Sequence, residues 1–221
     1  MTREEQSRWL KSFLITFIVF AIFSGYLYLR RGYYNLYIIN KVLGSVAVVI
    51  AGLTLLIGPL RNHQFFSGMV SYRRQLGLFA FGLAVAHVIV SLLQQQRFPF
   101  PNWYLTEWLP VTFGIVVILV WAYMTYISRN SKIKELGVEV WKKRLSLAGW
   151  LGFIAIFLHL VVMKYEGWLK WFHGQVKATP ELANPNYPPA SLFVLLVLVS
   201  VILFRVLHYF FRKVTKPTIL S

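Results

Sequence analysis

Residues 76–93 read LGLFAFGLAVAHVIVSLL, an apolar run with one ionisable residue, His87. A bilayer core of about 30 Å takes roughly 20 residues of helix, so the run is long enough to cross. In lipid it must be helical, because each backbone N–H and C=O has to be satisfied within its own segment. An imidazole at that depth gives up its hydration and needs a partner, which marks the position as a functional site. Outward from this run, five more stretches have the same character: 9–29, 36–60, 110–128, 145–164 and 190–211. With 76–94 they predict an all-α integral membrane protein, a single six-helix domain over residues 1–221.

Of the 221 residues 57% are apolar, and 23 Lys and Arg stand against 7 acidic residues, a formal charge of +16. A soluble nucleic-acid binder would interleave its basic residues with polar ones, whereas these fall in clusters between apolar runs. The expected partner is membrane lipid, not nucleic acid. The chain has no Cys, which rules out disulfides, thiolate haem ligation and iron–sulfur clusters. It also shows no GxGxxG, phosphate loop or HExxH.

With the N-terminus on the cytoplasmic side, 15 of the Lys and Arg fall in inside segments and 7 in outside loops. The positive-inside rule then predicts both termini cytoplasmic, in a plasma (inner) membrane of bacterial or archaeal type. The first stretch follows Arg3, Arg8 and Lys11 as a signal peptide would, but it is too long and lacks a small-residue cleavage site, so it is expected to stay as an anchor. No Asp or Glu lies within the six apolar runs, which counts against an ion-coupled transporter.

Of five histidines, His63, His173 and His208 fall at or near the aqueous boundary. His87 and His159 do not. On helices three and five, which run in the same direction, each lies slightly beyond the midpoint toward the outer face, by the 1.5 Å rise per residue. Two imidazoles at matching depth can hold one metal between them, and haem iron takes two axial ligands. Helical steps back from His87 reach Ala84 and Ala80, and from His159 reach Ala155 and Gly152. Such small stripes leave room for a macrocycle, and they equally describe close helix packing.

The segments YRRQLGLFAFGLAVAHVIVSL (72–92) and WKKRLSLAGWLGFIAIFLHL (141–160) resemble the ferric reductase-like transmembrane domain family. That family comprises six-helix b-type cytochromes, among them the NADPH oxidase core and the haem-binding MsrQ-type subunits. The resemblance spans the six-helix core and implies an electron-transferring protein with haem b. Many members hold two stacked haems on paired histidines of helices three and five. The outer ligands match His87 and His159. The inner positions fall near Arg73 and at Ser146, neither a usual haem ligand, so the resemblance implies one haem per chain. The relay is then completed by a flavin or quinone in the inner half, by a donor at the outer side, or by a partner subunit. Arg73 and Arg74, with Lys142, Lys143 and Arg144, would suit an anionic donor, although the positive-inside rule accounts for the same charges.

Haem propionates at the outer side would meet Arg97, Lys164 or Lys170, or the indoles of Trp103 and Trp168. The stretch EGWLKWFHG (166–174) reads as a short interfacial helix on the outer leaflet, and the proline-rich TPELANPNYPPAS (179–191) as extended. Three functions stand beside one another: an electron-transferring subunit of a larger redox system with a redox partner protein; a stand-alone reductase of a ferric or cupric chelate, oxygen or quinone; and a non-redox scaffold or transporter. Whether the chain is an enzyme on its own stays open at this point.

Overall fold

The computed structural model describes residues 2–58, 60, 64, 68–94 and 106–214. Its helices are α1 (Arg3–Arg31), α2 (Leu36–Ile57), α3 (Arg73–Gln94), α4 (Trp108–Ile127), the short α5 (Asn130–Leu136), α6 (Val138–Phe172) and α7 (Ala190–Val214), with a 3-10 turn at Gly68–Tyr72 before α3. Six of these are long and apolar enough to cross a membrane, and among the described residues strand pairing is limited to an isolated bridge between Thr179 and Leu182. The chain is a multi-pass helical membrane protein.

Local signals set the helix ends. The Thr2 side chain accepts from the Glu5 N–H at 3.2 Å, with Glu4 and Glu5 in the first turn of α1 and Arg30 and Arg31 in its last, each charge opposite the helix dipole. Gly32 ends α1 in the left-handed region at φ 80°, its N–H donating to the Tyr28 carbonyl at 2.8 Å, the conformation glycine adopts without a Cβ penalty. Asn35 caps α2 by accepting from the Ile38 N–H at 3.1 Å. Two spans outrun their apolar cores: α1 starts at Arg3 and α6 runs 35 residues, about 52 Å at 1.5 Å per residue.

The sequence EGWLKWFHG does not form a separate interfacial helix. It continues α6 as far as Phe172, because nothing in it breaks a helix and because Trp168 is buried, its indole N–H donating to Ser191 Oγ at 2.9 Å. The loop after it is tied to the end of α1. Ala183 and Asn184 N–H groups donate to the carbonyls of Arg31 and Arg30 at 3.4 and 3.0 Å, Arg30 Nε donates to the Tyr187 carbonyl at 2.9 Å, and Arg31 donates to that of Glu181 at 2.9 Å. The loop thereby satisfies carbonyls that a helix end leaves open. This end of the bundle is the loop end; the other holds the chain termini.

Packing centres on α2. Ile38, Val42, Val46 and Ile50 recur every fourth residue and are fully buried, a single stripe. Helix α2 packs most closely on α3, and α4 on α6, while α1 and α7 also lie against α2. The other faces carry Phe13, Phe17, Ile22, Leu119, Leu147 and Leu196 outward, as lipid contact requires. Close packing rather than hydrophobic exclusion holds such helices together.

A Cβ on Gly32 would lie 2.9 Å from Ala183 Cβ and on a positive-φ backbone. Gly32→Ala therefore carries a left-handed cost of about 1–2 kcal/mol and pushes the loop off α1. A lowered unfolding temperature in detergent, with faster protease cleavage in the 174–189 loop, is the expected outcome.

Candidate functional site

His87 and His159 are held by one device used twice. His87 lies on α3, and its Nδ1 donates to the Asn40 carbonyl of α2 at 2.9 Å. His159 lies on α6, and its Nδ1 donates to the Pro110 carbonyl of α4 at 2.7 Å. A carbonyl only accepts, so Nδ1 carries the proton in both rings and each Nε2 keeps its lone pair. Metal-binding histidines are oriented in this way, with the far nitrogen spent on a carbonyl and the near one left for the metal.

The four residues after each accepting carbonyl explain how the ring reaches it. Along a helix the carbonyl of residue i points toward residue i+4, whose side chain stands in the way of a donor from a neighbouring helix. Four residues beyond Asn40 is Gly44, and four beyond Pro110 is Gly114. A Cβ on Gly44 would sit 3.1 Å from Cε1 and Nδ1 of His87, and one on Gly114 would sit 3.4 Å from the same atoms of His159. The imidazoles occupy the space of those missing side chains. Pro110 costs nothing, since in the first turn of α4 its absent N–H has no helical acceptor.

Asn40 does more than supply its carbonyl. Its side-chain amide donates to Ser91 Oγ at 2.8 Å, one turn beyond His87 on α3, which locks the two helices at the depth of the ring. Helices α3 and α6 are not closely packed on one another.

The small stripes have a second use. Gly152 is turned toward α4, where an added Cβ would meet Trp121 Nε1 at 3.0 Å and Val120 Cγ1 at 3.2 Å, so its size serves the packing of α6 on α4. Ala80, Ala84 and Ala155 are buried in the core, on the faces by which α3 and α6 meet their partners. Lys164 is partly buried, whereas Lys170 is exposed. Arg97, Trp103 and His63 lie outside the described residues. His173 caps its own helix, donating from Nδ1 to the Leu169 carbonyl at 2.7 Å, and His208 is exposed.

At the termini end, the two inner family positions hold no ligand. Arg73 donates from Nε to the Thr54 carbonyl at 3.0 Å, and Ser146 is exposed. Arg205 of α7 donates to the next carbonyl, Leu55, at 3.3 Å and stacks 4.8 Å over Trp150. Both guanidiniums bind the C-terminal, negative end of α2, which offsets their charge.

Among the described residues no three His, Asp, Glu or Cys side chains converge on one metal position.

No protein-family profile matches the chain. It is similar to the magnetosome protein MamZ of Magnetospirillum gryphiswaldense, 27% identical over 128 residues, which is 56% of this chain and 19% of that protein. It is also similar to MamZ of Paramagnetospirillum magneticum, 28% identical over 109 residues, 48% of this chain and 17% of that one. The matched stretch spans less than a fifth of the length of these relatives.

Nitrogen-15 NMR of histidine-labelled protein purified without metal tests the tautomers. His87 and His159 should each show a protonated Nδ1 and a bare Nε2. A proton on Nε2 of either would mean that its carbonyl bond is not made.

Proposed function

We propose that this chain is a membrane b-type cytochrome, passing electrons through one bis-histidine haem as a subunit of a larger redox system. The observation that carries the reading is the matched pair of imidazoles, each with Nδ1 committed to a neighbouring backbone carbonyl, which leaves Nε2 its lone pair. A scaffold needs each buried histidine bonded once, by whichever nitrogen reaches a partner. Two rings anchored by the same atom to the same kind of acceptor, each over a glycine, suit a common axial ligand. The donor set fits haem iron on this ground.

Bound there, haem supplies a one-electron couple inside the bilayer. The chain's own residues do the rest. Asn40 and Pro110 fix ring orientation and raise imidazole basicity through their carbonyls, Gly44 and Gly114 admit the rings, and the apolar helix faces keep water out. With His87 and His159 as its ligands, a haem held there would serve electron transfer rather than chemistry at the metal. With Arg73 and Ser146 at the inner positions, a second haem has no ligands there. Entry of electrons then needs a flavin or quinone, or a redox partner protein. We assign the termini to the cytoplasm on the charge distribution, so that the haem lies toward the outer leaflet. The partial likeness to MamZ supports a bacterial membrane setting.

Purified protein should show a low-spin haem spectrum that shifts on reduction, and a pyridine haemochrome assay should return one haem per chain. All of it should be extractable by acidified organic solvent, since no Cys exists to attach it. His87→Ala and His159→Ala should each lose most of the haem, and His173→Ala should keep it. A parent protein without haem would sink the cytochrome reading and leave the scaffold.

The glycines offer a finer measurement. Gly44→Ala places a methyl group against the His87 ring without touching the ligand itself. The expected outcome is a folded protein with a weakened or high-spin haem signal, as the ring tilts from its carbonyl.

A further inference from the structure

At the termini end the first two turns of α1, the first turn of α3 and the start of α5 meet around a polar cavity of about 390 Å³. Glu5 and Arg8 of α1, Arg74 and Gln75 of α3 and Asn130 of α5 line it. Both arginines are held in place. Arg8 donates to a Glu4 carboxylate oxygen at 3.2 Å, and Arg74 donates to Asn130 Oδ1 at 2.8 Å, which ties α3 to α5. Each keeps further N–H donors, since a guanidinium has five. The acceptors are less well served. Among the described residues Glu5 makes no ion pair, the acidic partners there being Glu4, Glu135 and Glu139. Gln75 is only 7% exposed, and its Oε1 accepts no hydrogen bond. A buried amide oxygen without a donor is costly, so a ligand that brings a donor is favoured.

The cavity continues into the apolar seam between α1 and α3. One turn beyond Gln75 is Phe79, and one and two turns beyond Glu5 are Trp9 and Phe13. The ring centroids of Trp9 and Phe13 lie 5.6 and 6.2 Å from that of Phe79, while Leu10, Leu14 and Phe17 of α1 face outward. A polar cleft that runs onto a lipid-facing aromatic seam suits a molecule with a polar head and an apolar tail. We propose that this cavity binds a membrane phospholipid with a phosphoethanolamine headgroup. Arg8 and Arg74 donate to the phosphate, for which the guanidinium fork is well shaped. Glu5 and the Gln75 oxygen accept from the ammonium. A bare anion would leave those two acceptors unmet, and a choline headgroup has no N–H to give. The histidines lie deeper in the bundle, and the lipid site does not depend on the cytochrome reading.

The test titrates delipidated full-length protein in detergent with phosphatidylethanolamine, phosphatidylcholine and phosphatidylglycerol of identical chains, and reads bound lipid by native mass spectrometry. The parent should bind phosphatidylethanolamine about tenfold more tightly than phosphatidylcholine, the worth of one hydrogen bond to a charged group. Glu5→Gln and Gln75→Leu should each lower binding of the ethanolamine lipid toward that of the choline lipid while leaving the latter unchanged, which also shows that the variants are folded. Arg74→Gln and Arg8→Gln should weaken both lipids together, because the phosphate is common to them. Lys142→Gln, on the exposed start of α6, should match the parent. Equal binding of the ethanolamine and choline lipids by the parent, or a preference that survives both Glu5→Gln and Gln75→Leu, would overturn the site. Tighter binding of phosphatidylglycerol than of phosphatidylethanolamine would refute the ammonium half. Glycerophosphoethanolamine, the headgroup without chains, should fail to compete; if it displaces the lipid at equal concentration, the ligand is a soluble phosphodiester and the membrane assignment falls.

Discussion

Each of two imidazoles within the bilayer is bonded through Nδ1 to a backbone carbonyl of the adjacent helix, and much of the bundle's arrangement answers to that requirement. Water cannot supply the missing bond, and lipid offers no acceptor. The helix that provides the carbonyl must therefore come close, and close approach requires glycine at the position the ring crosses. Helix α2 meets α3, and α4 meets α6, on these terms. The small residues that follow along the seams, Ala80 and Ala84 in one pair and Gly152 and Ala155 in the other, carry the same close packing toward the termini end.

The consequence for chemistry lies at the nitrogen that is left. A histidine bonded through Nε2 would be of no use to a metal on the far side of the ring. Bonding through Nδ1 directs Nε2 away from the carbonyl, and doing so twice leaves two bare lone pairs. Charge follows the same division. At the termini end, Arg73 and Arg205 sit on the negative end of α2 and are accounted for by it. At the loop end, Arg30 and Arg31 are taken up in holding the loop against α1.

The six spans were legible in the amino-acid sequence. Hydropathy is a local property, and in lipid it leaves the backbone one option. The failure at EGWLKWFHG is equally physical: its mixed aromatic and charged composition suits a helix lying on a membrane surface, but the buried Trp168 and its bond to Ser191 hold it in line with α6. Asn40, Gly44, Pro110 and Gly114 were missed because their role is carried by a main-chain carbonyl and an absent side chain, neither of which has a chemical signature. A signal existed nonetheless in NKVLG (40–44) and PVTFG (110–114), a glycine four residues after the acceptor near the start of the long helix, α2 or α4, that comes before each histidine helix.

What the sequence by itself determined is the number of spans and the poverty of acidic groups within them. Those follow from composition along a line. Tertiary structure alone decided which nitrogen of each ring is free and that Gly152 faces Trp121. These depend on the rotation of each helix about its axis and on which neighbour it meets. Periodicity marks which residues share a face, but packing settles what that face touches.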